Sequence, residues 1–310
     1  ENNIEKGEGK LPWRLDWPSK WKILGVTFEA FGKDHATKGG SFDTGKRIVK
    51  DILEYDEPHH IVYEWINLKG KGAMHSSTGL AISAEEMLRM APPEVIRWLI
   101  MQPQPNRHVD FDPGLGLLNS VDKYDRSLQS YYSGELEENS SRALELSQIK
   151  AISNNKKQTI PYRHLVTLSQ SKENHKEIEK TLIRTGDIKK LDADEINSLK
   201  SRLNCIEGWL DNYAPESVKF KIQKSAPKIN LTSDEKNYLE NLKGKLALID
   251  WNPESIHDSF YELQETSKIS AKEYFRIMYL VLLGKERGPR LGFFLATIDK
   301  DFIIKRLNSY

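Results

Sequence analysis

The sequence predicts two regions of different fold class, a mixed α/β region up to Asp112 and an almost wholly helical region after it. In the first region, short β-branched and aromatic stretches alternate with a helical pattern. Beyond Asp112, one helix start signal follows another. A strand, a helix and a second strand in sequence indicate a parallel α/β unit, and consecutive amphipathic helices indicate a helical bundle.

The elements of the first region are bounded by Pro, Gly or charged residues. Two stretches are predicted as strands, WKILGVTFEAFG and HHIVYEWI. Between them, DTGKRIVKDILEY places its apolar residues on one face and predicts a helix. Two further helices are predicted, one from a capping box of Ser83 with Glu86 and one from the Pro92-Pro93 pair.

In the second region, several helices begin with a cap residue followed three positions later by Glu. The pairs are Asp192 with Glu195, Thr232 with Glu235, and Ser270 with Glu273. The last long helix is predicted to end at Gly284. Residues 214–230 combine prolines with lysines and are predicted to be a basic linker rather than a packed element. The predicted domains are therefore 1–112, 113–213 and 214–310.

Composition limits the classes of function. With 46 basic and 45 acidic residues the formal charge is +1, so no overall positive field indicates a nucleic-acid partner, although clustered lysines could still bind one. The single cysteine, Cys205, excludes an intramolecular disulfide and a Cys-rich zinc site. No apolar run is long enough to cross a bilayer, so a soluble, cytoplasmic protein without a membrane partner is expected. The opening ENNIEKGEGK lacks an initiator Met and suggests a cut fragment.

The segment FGKDHATKGGSFD joins the end of a predicted strand to the start of a helix, where open α/β sheets bind ligands. Asp34 could accept hydrogen bonds from ribose hydroxyls, and His35 could contact a carboxylate, an amine or a phosphate. Gly39-Gly40 would let a backbone approach closely. The alternative is a glycine turn with a capping aspartate and an incidental histidine.

A second loop, KGKGAMHSSTG, combines lysines, glycines and hydroxyl residues. Backbone N–H groups together with Lys69 and Lys71 suit the wrapping of phosphates. The alternative is a solvated hairpin tip or helix entry, and the segment has no Walker spacing.

Aromatic residues are concentrated in the same region. Trp13, Trp17, Tyr63 and Trp65 could enclose a cationic ligand, because an aromatic face attracts an ammonium group. Alternatively, they fill a hydrophobic layer beside the strands. The nearby histidines lack the companion spacing of a zinc site, so no metal site is predicted.

In the helical region, GKERGPRLGFF forms a Gly-Pro turn between two helices. Lys285, Arg287 and Arg290 in this turn could meet a polyanion, or could be solvated residues of an ordinary turn. Phe293 and Phe294 could stack on bases or cap the bundle.

Taken together and in this order, these blocks resemble class I lysyl-tRNA synthetase, the form found mainly in archaea. The blocks that carry the resemblance are PWRLDWPSKW, FEAFGKDHATKGGSFD, VYEWI, DFDPGLGLL and LLGKERGPRLGFFL. The resemblance implies the second half of a Rossmann-type catalytic domain, then a helical region that contacts the tRNA stem and a helical region that binds the anticodon. It also implies that the family's HIGH motif lies upstream of Glu1.

The resemblance carries site residues with it. The lysine pocket would use Trp13, His35 and Tyr63, with Asp34 near the adenosine. The family's mobile KMSKS-type catalytic loop falls on Met74, His75, Ser76, Ser77 and Thr78. Thr78 stands where that loop normally has a lysine, so either Lys69 or Lys71 would substitute or phosphate handling is weaker.

The activity implied by the resemblance is that of a lysine–tRNA ligase. ATP with Mg²⁺ would activate L-lysine as lysyl-adenylate, and a lysine-accepting tRNA would then receive the lysyl group. The isolated chain is expected to be inactive without the preceding half. Two alternatives stay open, a non-catalytic tRNA- or RNA-binding module and one part of a split synthetase.

Overall fold

A computed structural model describes residues 3–74, 79, 81–152, 159–264 and 269–310. The chain divides into two units. The α/β unit comprises Glu1–Ile82 and Arg97–Asp112, and the helical unit comprises Ser83–Ile96 and Pro113–Tyr310. Within the described ranges, no helix is both long and apolar enough to span a bilayer. The division into three domains at residues 112 and 213 stays a prediction.

The described residues of the α/β unit form two small sheets and two complete helices. Its helices are α1 (Trp13–Leu24) and α2 (Ser41–Asp51), with 3₁₀ turns at Ile4–Lys6 and Lys33–His35. Its strands are β1 (Phe28–Gly32), β2 (His59–Tyr63), β3 (Ile66–Leu68), β4 (Gly72–Ala73) and β5 (Val109–Phe111). One sheet pairs β1 with β2 in parallel, which confirms the predicted strand, helix, strand unit. In the other sheet, β3 is antiparallel to β4 and parallel to β5.

The prediction of a strand beginning at Trp21 is wrong, because residues 21–24 belong to α1. Trp17 and Trp21 are four positions apart, so both fall on the buried face of a helix. Gly25 then adopts a left-handed conformation with φ 64° and ends the helix. Only the later part of the predicted strand, from Phe28, is extended.

Trp21 is central to the core of the α/β unit. Its ring is fully buried, and its indole N–H donates to Glu29 at 3.1 Å. A Cβ atom at Gly45 of α2 would lie 3.0 Å from the Trp21 ring, so glycine at this position allows the two helices to pack closely. The buried residues of this core are Trp17, Trp21, Phe31, Phe42 and Val49.

Among the described residues of its unit, side chains cover one face of the β1–β2 sheet and leave the other face open. Phe31 is buried and Val62 packs against the same core. Alternate residues point to the opposite face, and there Phe28, Ile61 and Tyr63 are 52%, 41% and 47% exposed. This open face of the sheet is therefore apolar but solvent-accessible.

The described part of the helical unit is built from consecutive helices. They are α3 (Ala84–Met90), α5 (Leu115–Ser133), α6 (Glu138–Ser147), α7 (Tyr162–Ser171), α8 (His175–Arg184), α9 (Ala193–Asn212), α10 (Ser233–Leu248), α11 (Pro253–Gln264), α12 (Ala271–Leu283), α13 (Leu291–Thr297) and α14 (Lys300–Leu307). A long connection joins α9 to α10. Helix α4 (Pro93–Met101) runs across the boundary between the units.

The predicted helix signals are confirmed where the chain supplies a cap residue. Capping boxes begin α3, α9 and α10, and at α12 the Ser270 side chain accepts a hydrogen bond from the Glu273 backbone N–H. Gly284 takes the left-handed conformation directly after α12, with φ 66°. These signals are local, so the sequence is sufficient to predict them.

Residues 214–230 correct a prediction. They contain no helix or strand, as expected, but they are packed rather than free, because Phe220 and Ile222 lie against the C-terminal core. The Arg306 guanidinium donates to the carbonyl oxygens of Gln223 and Val281, and the Tyr310 hydroxyl donates to the carbonyl of Pro227. These bonds satisfy backbone carbonyls that have no helical partner.

A buried ion pair links α5 to α9. The Arg202 guanidinium donates to both carboxylate oxygens of Asp125, at 2.9 and 2.6 Å, and lies 5.0 Å from the centre of the Tyr162 ring. Burial alone would lower the pKa of Arg202, but the hydrogen bonds and attraction of Asp125 outweigh burial and raise it. Arg202 therefore stays charged inside the unit.

Helices α3 and α9 approach each other unusually closely. A Cβ atom at Gly208 of α9 would lie 2.3 Å from the backbone carbonyl oxygen of Arg89 in α3. No side chain fits at this distance, so the absence of a side chain at Gly208 sets the separation of the two helices.

Cys205, also on α9, is expected to resist thiol reagents in the folded protein. Its side chain is 6% exposed, and burial is the main cause that raises its pKa to about 11. Because the thiolate is the reactive form, we expect modification by Ellman's reagent at pH 8 to be about a hundredfold slower than in urea-denatured protein. Equal rates in the two states would contradict the buried position.

Candidate functional site

The carboxyl ends of β1 and β2 form one edge of the parallel sheet. Gly32 and Tyr63 are paired there, as the last residues of their strands. The Lys33 ammonium, directly after β1, lies 2.7 Å from the Glu64 carboxylate, directly after β2. The hydrogen bond from Lys33 lowers the pKa of Glu64. Residues that follow separate strands are thus held together at the edge where α/β sheets bind ligands.

His35 lies at this edge within an aromatic wall. Its ring centre is 5.9 Å from that of Trp13 and 5.5 Å from that of Trp17. The two indoles stack at 5.2 Å, and His35 Nδ1 lies 3.4 Å from Ser41 Oγ at the start of α2. Trp17 is 6% exposed but Trp13 is 49% exposed. The wall therefore has a buried base and an accessible outer surface.

The structure brings the four predicted substrate-binding residues to the same end of the sheet. Asp34 is exposed in the 3₁₀ turn after β1, next to His35, and Tyr63 is half-exposed at the end of β2. Trp13 begins α1 and reaches the edge through its contact with His35. The roles of these residues stay predictions.

Trp65 lies beyond this edge, between β2 and β3. Its carbonyl accepts a hydrogen bond from the Val109 N–H, which is part of the ladder that joins β3 to β5. The contact of Trp13 with Trp17 is observed, whereas Trp65 contributes to the second sheet.

Turn geometry explains the paired glycines of FGKDHATKGGSFD. Gly39 has φ 73°, and a Cβ atom at Gly40 would lie 2.7 Å from the Thr37 carbonyl oxygen. The Asp43 carboxylate accepts a hydrogen bond from the Gly39 N–H at 3.0 Å. The structural alternative for this segment therefore accounts for the glycines and supplies the capping aspartate, but it leaves Asp34 and His35 unexplained.

The lysine-rich loop begins as a β-hairpin turn. Strand β3 turns into β4 through Gly70, with φ 76°, and the Lys69 ammonium lies 3.2 Å from the Asp112 carboxylate. Lys71 is exposed. Met74 follows β4, and its N–H donates to the Ile66 carbonyl at 3.2 Å. The four other positions predicted for the catalytic loop, His75, Ser76, Ser77 and Thr78, lie outside the described residues.

The three basic residues predicted to bind tRNA have different surroundings. The Lys285 ammonium donates to the Lys219 carbonyl at 3.0 Å, so it holds the 214–230 segment. Arg287 is exposed. The Arg290 guanidinium lies 5.6 Å from the centre of the Phe293 ring. Their part in tRNA binding stays a prediction.

The structure separates the two phenylalanines of the same turn. Phe294 is fully buried in the C-terminal core, whereas Phe293 is 47% exposed. Phe294 therefore caps the bundle, and Phe293 is available for a ligand.

The histidines of the α/β unit pack against aromatic rings. His59 stacks on Phe28 at 6.2 Å, and the His60 ring lies 4.4 Å from that of Phe42. Over the part of the chain that the structure describes, no three His, Cys, Asp or Glu side chains are grouped as metal ligands.

Sequence patterns missed one feature of the helical unit. A cavity of about 960 Å³ lies between α5, α7 and the turn that leads into α13. Arg126, Arg163 and His164 line it, together with Arg290 and Phe293. Basic residues at separate places in the sequence give no periodic signal of a cavity. The nearest indication in the sequence is the adjacent pair Arg163 and His164 in the PYRHL segment.

Comparisons with known proteins agree with this architecture. Residues 1–150 match the family described as tRNA synthetases class I (K), and residues 157–310 match the anticodon binding domain. A class I aminoacyl-tRNA synthetase combines these two parts.

Individual relatives indicate which kind of class I synthetase the chain is similar to. The chain is 41% identical to the lysine–tRNA ligase of Picrophilus torridus, 40% identical to that of Thermoplasma acidophilum and 35% identical to that of Archaeoglobus fulgidus. Each match covers 98–99% of this chain but only 58–60% of the relative. The chain belongs to the class I lysyl-tRNA synthetase family, and it spans about 60% of the length of the relatives it matches.

Among solved structures, a glutamate tRNA ligase from Elizabethkingia meningosepticum aligns with a TM-score of 0.40 and 14% identity, over 96% of this chain and 59% of that chain. Similarity at this level carries no weight for fold or function.

Proposed function

We propose that this chain supplies the lysine- and tRNA-binding parts of a lysine–tRNA ligase. The observation that carries the proposal is the position of Trp13, His35 and Tyr63 at one carboxyl edge of a parallel sheet, with Asp34 beside them. Family membership supports the same reading.

Each residue of the edge has a chemical part in the proposal. The accessible face of Trp13 and the ring of Tyr63 would lie along the methylene stem and ammonium group of lysine. His35, fixed by Trp17 and Ser41, would donate a hydrogen bond to the lysine carboxylate and so orient it for attack. Asp34 would accept hydrogen bonds from the ribose hydroxyls.

Class I synthetases use ATP and Mg²⁺. Here ATP would supply the adenylyl group, and Mg²⁺ would offset the charge of its phosphates. The donor set at the edge suits the nucleotide rather than a metal ion directly, since Asp34 is a single carboxylate and Glu64 is paired with Lys33. Lys71 is the better placed of the two hairpin lysines for phosphate contact, because Lys69 is paired with Asp112.

Two steps complete the proposed reaction. The lysine carboxylate forms a bond to the α-phosphorus of ATP, and the bond to pyrophosphate breaks. The terminal ribose hydroxyl of tRNA then attacks the lysyl carbonyl, AMP leaves and the hydroxyl proton is released. The chain's contribution is to position the reactants and to stabilise charge.

The open face of the β1–β2 sheet supports a requirement for a further segment. Parallel sheets are almost always covered on both faces, yet Phe28 and Ile61 remain about half-exposed. About 40% of the length of the Picrophilus torridus relative lies outside the matched region. We infer that such a segment, containing the HIGH motif, covers this face and completes the catalytic domain.

A second candidate function is tRNA binding without adenylate formation. Two observations favour this function. Lys69 is paired with Asp112, and Thr78 stands at the usual lysine position, so fewer cationic side chains are left to contact the ATP phosphates. A split synthetase would differ in becoming active when the remaining segment is added.

Complementation tests the proposal. The chain would be combined with the unmatched segment of the Picrophilus torridus relative, and lysine-dependent ATP–pyrophosphate exchange would be measured in the presence of tRNA. We expect exchange only with both parts present. Tight tRNA binding without exchange in any combination would instead support the binding module.

In the complemented enzyme, His35→Ala is expected to raise the lysine KM or lower kcat by about tenfold, because one hydrogen bond to a charged group is lost. His257→Ala is the control, since His257 is an exposed histidine of the helical unit. If His35→Ala left both KM and kcat unchanged, His35 would not be part of the lysine pocket.

A further inference from the structure

The two halves of the proposed lysine pocket come from separate stretches of chain. His35 lies in the 3₁₀ turn Lys33–His35 that follows β1, whereas Tyr63 is the last residue of β2. Ladder pairing between the two strands ends at Gly32 with Tyr63. The distance between His35 and Tyr63 therefore depends on how the chain is held just past the ends of the strands.

Tyr63 lies directly against the end of β1. A Cβ atom at Gly32 would be 3.8 Å from Tyr63 Cε2, which is an ordinary van der Waals contact. The ring thus rests beside the backbone of the neighbouring strand while about half of the residue stays exposed. Because of this contact, a shift of one strand end relative to the other changes where the Tyr63 ring lies.

Glu64, the residue after β2, is held on two sides. Its backbone N–H donates to the Pro105 carbonyl oxygen at 2.9 Å, and its carboxylate lies 2.7 Å from the Lys33 ammonium. The Glu64 side chain is only 24% exposed. The hydrogen bond from Lys33 is the main cause that lowers the pKa of Glu64, so the carboxylate is ionised at neutral pH. Glu64 is therefore an anchor for the turn that carries His35.

An exposed ion pair contributes little to the stability of a fold, because water screens it. At this place, however, the pair joins the residue two positions before His35 to the residue next to Tyr63. We propose that Lys33 and Glu64 are positioning residues for lysine binding, and that their ion pair sets the distance between His35 and Tyr63. The proposal rests on the proposed function, in which His35 and Tyr63 hold the substrate lysine.

A direct contact of Lys33 with an ATP phosphate is the competing role for this side chain. The geometry favours positioning, because the ammonium already has a carboxylate at 2.7 Å that a phosphate would have to displace. The two roles differ in what they require of Glu64. A positioning pair needs its carboxylate, whereas a lysine that binds phosphate does not.

Lysine-dependent ATP–pyrophosphate exchange by the complemented enzyme tests the pair. Lys33→Met and Glu64→Gln are each expected to raise the lysine KM by about tenfold, because a misplacement of about 1 Å in a binding group can cost up to about a hundredfold. The double variant is expected to raise the lysine KM no further than either single variant, since both changes remove the same ion pair. Exchanging the charges, as Lys33→Glu with Glu64→Lys, is expected to restore most of the lost affinity.

Lys243→Met is the matched control. It breaks a lysine–glutamate pair of similar length, 2.6 Å to Glu240 within α10, and should leave the lysine KM unchanged. Thermal melting of every variant is measured alongside the exchange reaction, and melting temperatures close to that of wild type are expected. Should a single variant melt at a lower temperature, the charge-exchanged variant decides, because recovery of the lysine KM depends on the pair itself.

The outcomes separate this proposal from the proposed function. If His35→Ala impaired exchange while Lys33→Met and Glu64→Gln left the lysine KM unchanged, the positioning pair would be wrong and the lysine pocket would stand. An effect of Lys33→Met alone, without rescue by the exchanged charges, would overturn the pair in favour of phosphate contact. If the complemented enzyme showed no exchange at all, the lysine pocket and the pair would both be overturned.

Discussion

Asp125→Ala is expected to lower the free energy of unfolding of the helical unit by about 3–5 kcal/mol. Asp125 is 7% exposed, and both of its carboxylate oxygens accept hydrogen bonds from Arg202. Removing the carboxylate leaves the Arg202 guanidinium buried without its counter-charge. The large loss comes from that stranded cation rather than from the attraction of the pair.

Urea denaturation followed by far-ultraviolet circular dichroism measures this change. Glu145→Ala is the control, because it breaks an exposed pair with Arg142 and should cost less than about 1 kcal/mol. Replacing both partners, as Asp125→Leu with Arg202→Met, is expected to recover much of the loss. A cost for Asp125→Ala no larger than the control would mean that the pair is solvated.

Gly208→Ala is the second substitution with a large expected effect, a destabilisation of about 1–3 kcal/mol or more. The new methyl group would lie 2.3 Å from the Arg89 carbonyl oxygen, which is backbone and cannot rotate away. Helix α3 would have to move from α9, with loss of packing between them.

Gly244→Ala in α10 is the matched control. Nothing lies within 4 Å of a Cβ atom at Gly244, so alanine should stabilise that helix by about 1 kcal/mol. The same chemical change in two helices is therefore expected to act with opposite signs, and thermal melting of both variants measures it. Stabilisation by Gly208→Ala would contradict the close approach of α3 and α9.

Local rules account for what could be predicted of the fold. A capping box needs only a side chain and a backbone N–H three positions apart, so Asp192 and Thr232 identify helix starts without tertiary information. The stretch from Trp21 to Leu24 was mispredicted because a short apolar run fits strand and helix equally. The spacing of Trp17 and Trp21 was the signal that favoured the helix.

The candidate site was predictable to the extent that it depends on strand ends. Asp34 and Tyr63 follow or end neighbouring parallel strands, which places them at one edge. By contrast, Asp125 and Arg202 are 77 positions apart, and packing of the helices alone brings them together. The cavity beside Phe293 likewise exists only after α5 and α7 have packed, so no sequence pattern could reveal it.

Arg306 and Tyr310 bind a stretch of chain more than eighty positions earlier through its carbonyl oxygens. That stretch carries Lys219, Lys221, Lys224 and Lys228. Removing Arg306 and Tyr310 would thus free this stretch and let trypsin cleave after its lysines.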